Sequence, residues 1–288
     1  MSEGWRYPAP HDWVDCVLDA LDEDVRYGDL SASALPTTQQ ARWYIEAQAS
    51  GVVCGAGIAA FLLDPLEAGE EDGEITVHRS DGDRVQPGDR ILDGLAPSAF
   101  VLERERTALN YLMLLSGVAT LTAKFVVAVE GTSAKIVDTR KTAPLMRSLQ
   151  KYAVRCGGGF NHRMGLFDGV MLKDNHIRLA GSIADAVARV RATAPHMAKI
   201  EVECEALDQV REAVTAGAEI VMLDNMDPFA MREAVRLFGD RCVLEASGGI
   251  TLDTVAGVAQ TGVHLISVGV LTHSAPALSF HLEIEGTD

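Results

Sequence analysis

The residues best able to do chemistry are cations crowded into one stretch of an acidic chain. Between positions 135 and 173 stand eight lysines and arginines: Lys135, Arg140, Lys141, Arg147, Lys151, Arg155, Arg163 and Lys173. Only Asp138 and Asp168 oppose them, and His162 lies among them. The whole chain carries a net charge of −16, so this local excess of positive charge reads as a site for anions. Guanidinium groups grip carboxylates and phosphates through a two-pronged fork, and lysine acts as a point charge. Arg147, Lys151 and Arg155 recur every four residues and read as the solvated face of a helix. Arg140, Lys141, Arg163 and Lys173 sit close to apolar runs and do not fit that reading.

Acids and glycines complete the set. Glu203 and Asp224 each close an apolar run, Lys199–Val202 and Ile220–Leu223. Such carboxylates accept from sugar hydroxyls or hold a hard cation such as Mg²⁺, with structural neutralisation of Arg163 or Lys173 as the alternative. Glu201 and Glu203 flank Val202, so both face the same side of a strand. Glu203, nearer the strand's end, is the favoured site residue. Ser247-Gly248-Gly249 precedes a helical stretch, where backbone N–H groups can approach a phosphate closely. Gly269, leading into Val270-Leu271-Thr272-His273-Ser274, reads as the other half of that cradle. Gly157-Gly158-Gly159 reads as a loop packed tightly on ligand or strand, and His162 as either a core histidine or a ligand contact.

These residues need a scaffold that brings them together. Glu203, Asp224, Ser247 and Gly269 follow one another at intervals of 21, 23 and 22 residues, the length of one strand, one helix and two loops. Helical stretches at 182–192, 206–216, 228–237 and 252–260 fill the gaps. Six apolar runs, each ending in a polar cluster, predict parallel βα units and an incomplete β/α barrel, with an open doubly wound sheet as the alternative. In a barrel the loops after the strands form the functional face, so the clusters converge. The N-terminal half has no such period. It predicts a helix over 10–26, a strand over 41–49, a hairpin over 74–93 and an apolar helix over 98–116, an α+β arrangement.

Composition narrows the function further. The chain has 288 residues, 48% of them hydrophobic and 23% charged, enough for a real core. Its acidity argues against a nucleic-acid backbone as partner. No apolar run reaches the roughly 18 residues of a membrane span, and the N-terminus has no export-signal pattern. Cys16, Cys54, Cys156, Cys204 and Cys242 lack metal-finger spacing and read as free thiols of a reducing cytoplasm.

Taken together, the motifs resemble the quinolinate phosphoribosyltransferase family. They are Glu105–Asn110, Leu115–Thr120, Asp138-Thr139-Arg140-Lys141-Thr142, Lys151–Val154, Gly157–Gly159, Asn161-His162-Arg163, Gly165-Leu166, Asp168, Lys173–His176, Glu203, Leu223–Asn225, Glu245–Ile250 and Gly269–Ser274. The resemblance covers the chain from about residue 12. It implies an α/β fold: an N-terminal α/β sandwich domain (1–116), an open seven-stranded α/β barrel (117–270), and a C-terminal tail (271–288) returning to the first domain. It implies the conversion of quinolinate and phosphoribosyl pyrophosphate to nicotinate mononucleotide, diphosphate and CO₂, with Mg²⁺ as cofactor.

The resemblance also assigns roles. Lys141, Lys173, Glu203 and Asp224 become the catalytic set. Thr139, Arg140, Lys141, His162, Arg163 and Lys173 line the pocket for quinolinate and diphosphate. Glu203 and Asp224 meet the ribose hydroxyls and the metal. Ser247, Gly248, Gly249, Val268, Gly269 and Val270 cradle the 5′-phosphate, with His273 nearby. The family works as a dimer or a multiple of dimers, with Arg106 reaching into the neighbour's pocket. One departure stands out: Ala143-Pro144-Leu145-Met146-Arg147 replaces the family's Thr-Pro-Gly-Leu-Arg. A subgroup associated with molybdenum transport shares the fold. Two other readings use the same residues differently: an aldolase forming a Schiff base on Lys173, and a phosphate-metabolite sensor without turnover.

Overall fold

The computed structural model describes residues 7–36, 39–67 and 73–287; positions 1–6, part of the stretch read for an export signal, lie outside them. The chain forms two compact units. One comprises Met1–Ala123, Thr142–Gly158 and Thr272–Asp288, the other Lys124–Lys141 and Gly159–Leu271.

The first unit starts with α1 (Val14–Val25), β1 (Gln40–Ala47), β2 (Gly51–Val52) and α2 (Ala56–Leu63). β3 (Glu74–Val77), β4 (Arg84–Val85), β5 (Arg90–Pro97) and α3 (Ser98–Ala128) follow. Along β1 every second residue, Ala41, Trp43, Ile45 and Ala47, is buried, the period-2 pattern of a sheet with one covered face. The expected hairpin proves to be β3 against β5, and β4 between them pairs with β2 instead.

The helix expected over 98–116 runs on to Ala128. Gly117 does not end it. A Cβ there would lie 2.2 Å from the Pro276 carbonyl oxygen, so glycine serves close approach of the C-terminal chain. α3 is also, among the described residues, the one helix long and apolar enough to cross a membrane, which corrects the reading that no stretch qualifies. More than half of its apolar stretch is buried inside the protein. The Ser116 hydroxyl bonds both the N–H and the carbonyl of Cys54, so α3 is the unit's core helix.

The second unit is built from β6 (Lys135–Val137) and, after α4 (Arg147–Cys156) in the chain, from β7 (Val170–Leu172), α5 (Asp174–Ala180) and α6 (Ile183–Thr193). Then come β8 (Ile200–Cys204), α7 (Leu207–Thr215), β9 (Ile220–Asp224), α8 (Pro228–Phe238), β10 (Val243–Ser247), α9 (Leu252–Ala259), β11 (Leu265–Ser267) and the short α10 (Val270–His273). The six strands pair in parallel in the order β6-β11-β10-β9-β8-β7. The last strand, β11, thus pairs with the first, β6, which bends the sheet back on itself. Phe160 adds a one-residue parallel bridge to the other side of β6, where a seventh strand belongs. No ladder joins Phe160 to β7 among the described residues, so the ring stays open there. Helices start where the sequence supplies caps: Ser182 accepts from the Asp185 N–H, and Asp227 from those of Phe229 and Ala230, ahead of Pro228.

α4 clusters with the first unit although it lies between barrel strands in sequence. The Gln150 side chain accepts from the Ala143 N–H and donates to the Thr272 carbonyl. A Cβ on Gly157 would sit 2.3 Å from the Ala119 carbonyl oxygen, so that glycine packs on α3, not on ligand or strand. The solvated face expected on α4 is also corrected: Lys151 is 1% exposed. β12 (Phe280–Thr287) closes the unit's sheet, in the order β12-β1-β5-β3.

Candidate active site

Parallel pairing fixes the C-terminal ends of the barrel strands side by side. Ser247 stands opposite Asp224, Cys204 opposite Leu223, and Ser267 opposite Val137. Following the strand order, the rim carries Asp138–Lys141 after β6, Val268–Val270 after β11 and Ser247–Gly249 at β10. It continues with Asp224 at β9, Glu203 at β8 and Lys173 after β7. Residues scattered over more than a hundred positions thus line up along the C-terminal edge of one sheet.

The cations are held close and only partly screened. The Arg140 side chain is half-buried, and its Nε is buried without a hydrogen-bond partner. Burial lowers the Arg163 pKa from its ordinary value, and the neighbouring charge of Arg140 lowers it further. Two guanidiniums in mutual repulsion form a site that a dianion would relax. Arg163 is anchored by Nη1 on the Gly169 carbonyl at 2.9 Å. Lys173 Nζ lies 2.5 Å from Glu203 Oε2, an ion pair across adjacent strands. Lys141 is exposed, and its N–H donates to the Thr139 hydroxyl at 3.1 Å.

The glycine loop is shaped for close approach. Gly248 has φ +95°, and a Cβ there would fall 2.1 Å from Asn225 Oδ1. Gly249, at φ +60°, faces open space. Only glycine meets both demands at 248. Asn225 donates from Nδ2 to Asp224 at 2.7 Å and from its backbone N–H to the Ser247 carbonyl, so the loop and the acid share one support.

Beneath the rim lies a buried polar cluster. Asp138, fully buried, accepts from Asn161 Nδ2 at 2.6 Å and from the His162 N–H at 2.8 Å. His162 Nε2 lies 3.0 Å from Glu201 and 3.8 Å from Glu245, whose side chains are 4% and 2% exposed. One oxygen of each carboxylate, Oε1, has no hydrogen-bond partner. Burial pushes the Glu245 carboxyl up to about 8, and the Glu201 charge pushes the same way, against His162 and Ser267. His162 Nδ1 accepts from the Arg163 N–H at 2.7 Å. Both ring nitrogens therefore engage protein groups, and the expected direct anion contact by His162 is not what this geometry presents. The buried carboxylates draw the ring's N–H inward.

Arg106 and His273 belong to the other unit. Both are exposed; Arg106 lies 3.9 Å from Glu105, and His273 Nδ1 2.6 Å from the Ser274 hydroxyl. Among the described residues, the clusters with three metal-type donors within reach of one another are Cys54-Asp81-Cys156 and His162-Glu201-Glu245. Neither includes Glu203 or Asp224.

Comparison with known proteins shows the family. The model of the quinolinate phosphoribosyl transferase C-terminal domain matches residues 118–283, and that of the N-terminal domain matches 29–116. The chain belongs to the quinolinate phosphoribosyltransferase family. A probable nicotinate-nucleotide pyrophosphorylase [carboxylating] of Bacillus subtilis is 42% identical, over 91% of this chain and 90% of that protein. The Mycobacterium leprae nicotinate-nucleotide pyrophosphorylase [carboxylating] is 41% identical, over 94% and 96%. The crystal structure of NadC from Streptococcus pyogenes superposes with a TM-score of 0.92 at 37% identity, covering 99% of both chains.

Against the family motif, Leu145 occupies the glycine position, and it keeps the backbone a glycine would adopt: φ is +61°. Its side chain is 82% exposed, so nothing in the core compensates. Sequence reasoning ranked Glu201 behind Glu203 and counted Glu245 within a motif without giving it a role. The signal was present, since Glu201 alternates with Glu203, and Glu245 with Ser247, onto the same strand faces.

Proposed function

We propose that this chain is a carboxylating phosphoribosyltransferase, turning quinolinate and phosphoribosyl pyrophosphate into nicotinate mononucleotide, diphosphate and CO₂. The observation that carries the reading is the rim itself. Lys173 pairs with Glu203, Asp224 ends the neighbouring strand and the Gly248-Gly249 loop follows the strand after that, while Arg140 and Arg163 lie near enough for their charges to interact.

The chemistry follows from charge. Quinolinate brings two carboxylates, and its partner brings a 5′-phosphate and a diphosphate. Arg140, Arg163 and Lys173 bring these anions together and hold them, converting an encounter of like charges into a fixed approach. The Gly248-Gly249 backbone receives the 5′-phosphate, at the start of α9. Glu203 and Asp224 orient the ribose hydroxyls. The C1–O bond breaks with its electron pair leaving on diphosphate, and the pyridine nitrogen lone pair forms the new C1–N bond. The ring, now cationic, accepts the electron pair released when the adjacent C–CO₂⁻ bond breaks. A proton from water then replaces the carboxylate. Lys141 and Lys173 take up charge developing on the leaving diphosphate. Glu203 and Asp224 are also the residues that would hold Mg²⁺, which when bound neutralises diphosphate charge.

Lys173 is engaged by a carboxylate 2.5 Å away, an arrangement for an anion-binding cation more than for a Schiff-base amine. The exposed Arg106 suits a role across a dimer interface. Five free cysteines fit a reducing, cytoplasmic setting. The test is to incubate purified protein with quinolinate, phosphoribosyl pyrophosphate and Mg²⁺ and follow nicotinate mononucleotide and CO₂. Turnover of nicotinate with none of quinolinate would refute the carboxylating assignment.

A further inference from the structure

We infer that Glu201 and Glu245 are positioning residues that act through His162 on Arg163. The path is continuous. Glu201 on β8 receives His162 Nε2 at 3.0 Å, with Glu245 on β10 flanking at 3.8 Å. On its other side the ring accepts the Arg163 N–H at 2.7 Å, which leaves Nδ1 without a proton and places the ring proton on Nε2, facing the carboxylates. The backbone of the same segment is pinned a second time by Asp138, through the His162 N–H and the Asn161 side chain. Arg163 Nη1 is fixed in turn on the Gly169 carbonyl. The segment from Asn161 to Arg163 has no helix or strand of its own, so this buried column does the orienting there.

Stability alone does not account for the column. Two buried glutamates, one of them held protonated up to about pH 8 and each with one oxygen lacking a hydrogen-bond partner, cost more than well-packed apolar residues at the same places. Their geometry instead resembles the outer partners that fix a functional imidazole's tautomer and orientation in metal sites. Here the imidazole passes that restraint on to an arginine. The proposal rests on the quinolinate reading only for the anion that Arg163 grips.

Two measurements test it. The first needs no variant: ¹⁵N spectra of His162 in the free protein and with quinolinate added. The expected result is Nε2 protonated and Nδ1 bare in both states. A doubly protonated ring, or a proton moved to Nδ1 when quinolinate binds, would overturn the proposal in favour of direct substrate contact.

The second measurement is kinetic, after wild-type turnover of quinolinate has been established. Glu201→Met removes the acceptor and is expected to raise the KM for quinolinate about tenfold, with the KM for phosphoribosyl pyrophosphate within about threefold of wild type. Glu201→Gln keeps an acceptor oxygen and is expected to recover most of that loss. An unchanged quinolinate KM in the Met variant, equal damage to both KM values and kcat, or equal damage from Gln and Met would each refute it. Absence of wild-type turnover would instead remove the functional reading and leave the free-protein spectrum as the test of the column.

Discussion

Replacing Glu245 by glutamine should flatten part of the protein's pH–stability curve. In the folded chain burial holds this carboxyl at about 8, against an ordinary value of 4.5. The raised value means the folded state keeps a proton that the unfolded chain releases. Stability from this group is therefore complete below about pH 4.5 and is lost as pH rises towards 8. At 1.36 kcal/mol per pH unit, integration from pH 5 to 8.5 gives a loss of roughly 4 kcal/mol. Glutamine has the same shape and no proton to lose. The stability of Glu245→Gln relative to wild type should therefore climb by roughly 4 kcal/mol over that interval, whatever constant offset the amide introduces. Urea unfolding of both proteins at pH 5, 6, 7, 8 and 8.5 measures the difference directly; contributions from distant groups cancel in it, and what remains belongs to Glu245 together with its neighbours Glu201 and His162. Parallel curves would show that Glu245 titrates normally, and that the buried cluster does not impose the charge arrangement described above.

Other expectations follow from single residues. Arg140→Ala and Lys173→Ala should each lower kcat/KM for quinolinate by about 10²-fold while unfolding as wild type does; near-normal turnover in either removes it from the anion pocket. Gly248→Ala forces a side chain against Asn225 at a left-handed φ, so a stability loss of about 2–3 kcal/mol on urea unfolding is expected. Leu145→Gly relieves a left-handed leucine at φ +61°; the relief of about 1–2 kcal/mol less an entropy cost of about 0.5–1 leaves a small net gain. If Arg106 completes a neighbour's site, Arg106→Ala and Asp224→Ala chains, each inactive alone, should recover about a quarter of wild-type activity when dissociated and remixed, and no recovery argues for self-contained sites.

How far the sequence could be read depended on the distance over which each signal acts. The barrel's period and its rim were legible because a βα unit repeats locally, and because charged clusters at strand ends stand out against apolar runs. The apolar helix was ended too early, at 116, for the opposite reason: the role of Gly117 lies in a contact with Pro276, 159 positions away in the chain, which no local pattern carries. Lys151 has helical spacing with Arg147 and Arg155, yet burial of that face is decided by what packs on α4. Glu201 and Glu245 fall between these cases. Strand alternation puts both on the face that bears Glu203 and Ser247, so their direction was available from the sequence. Their depth was not. An acid at a strand's end meets substrate and solvent, whereas an acid two residues earlier meets only the barrel interior. There a carboxylate persists only if something inside needs it. The histidine that meets Glu201 comes from a segment 39 positions upstream, attached to the barrel by a single bridge at Phe160. The open side of the barrel and the buried acids are therefore linked. Where the seventh strand contributes one residue, the ladder cannot hold the next three, and side-chain contacts to Asp138 and Glu201, with Glu245 flanking at 3.8 Å, take over that work.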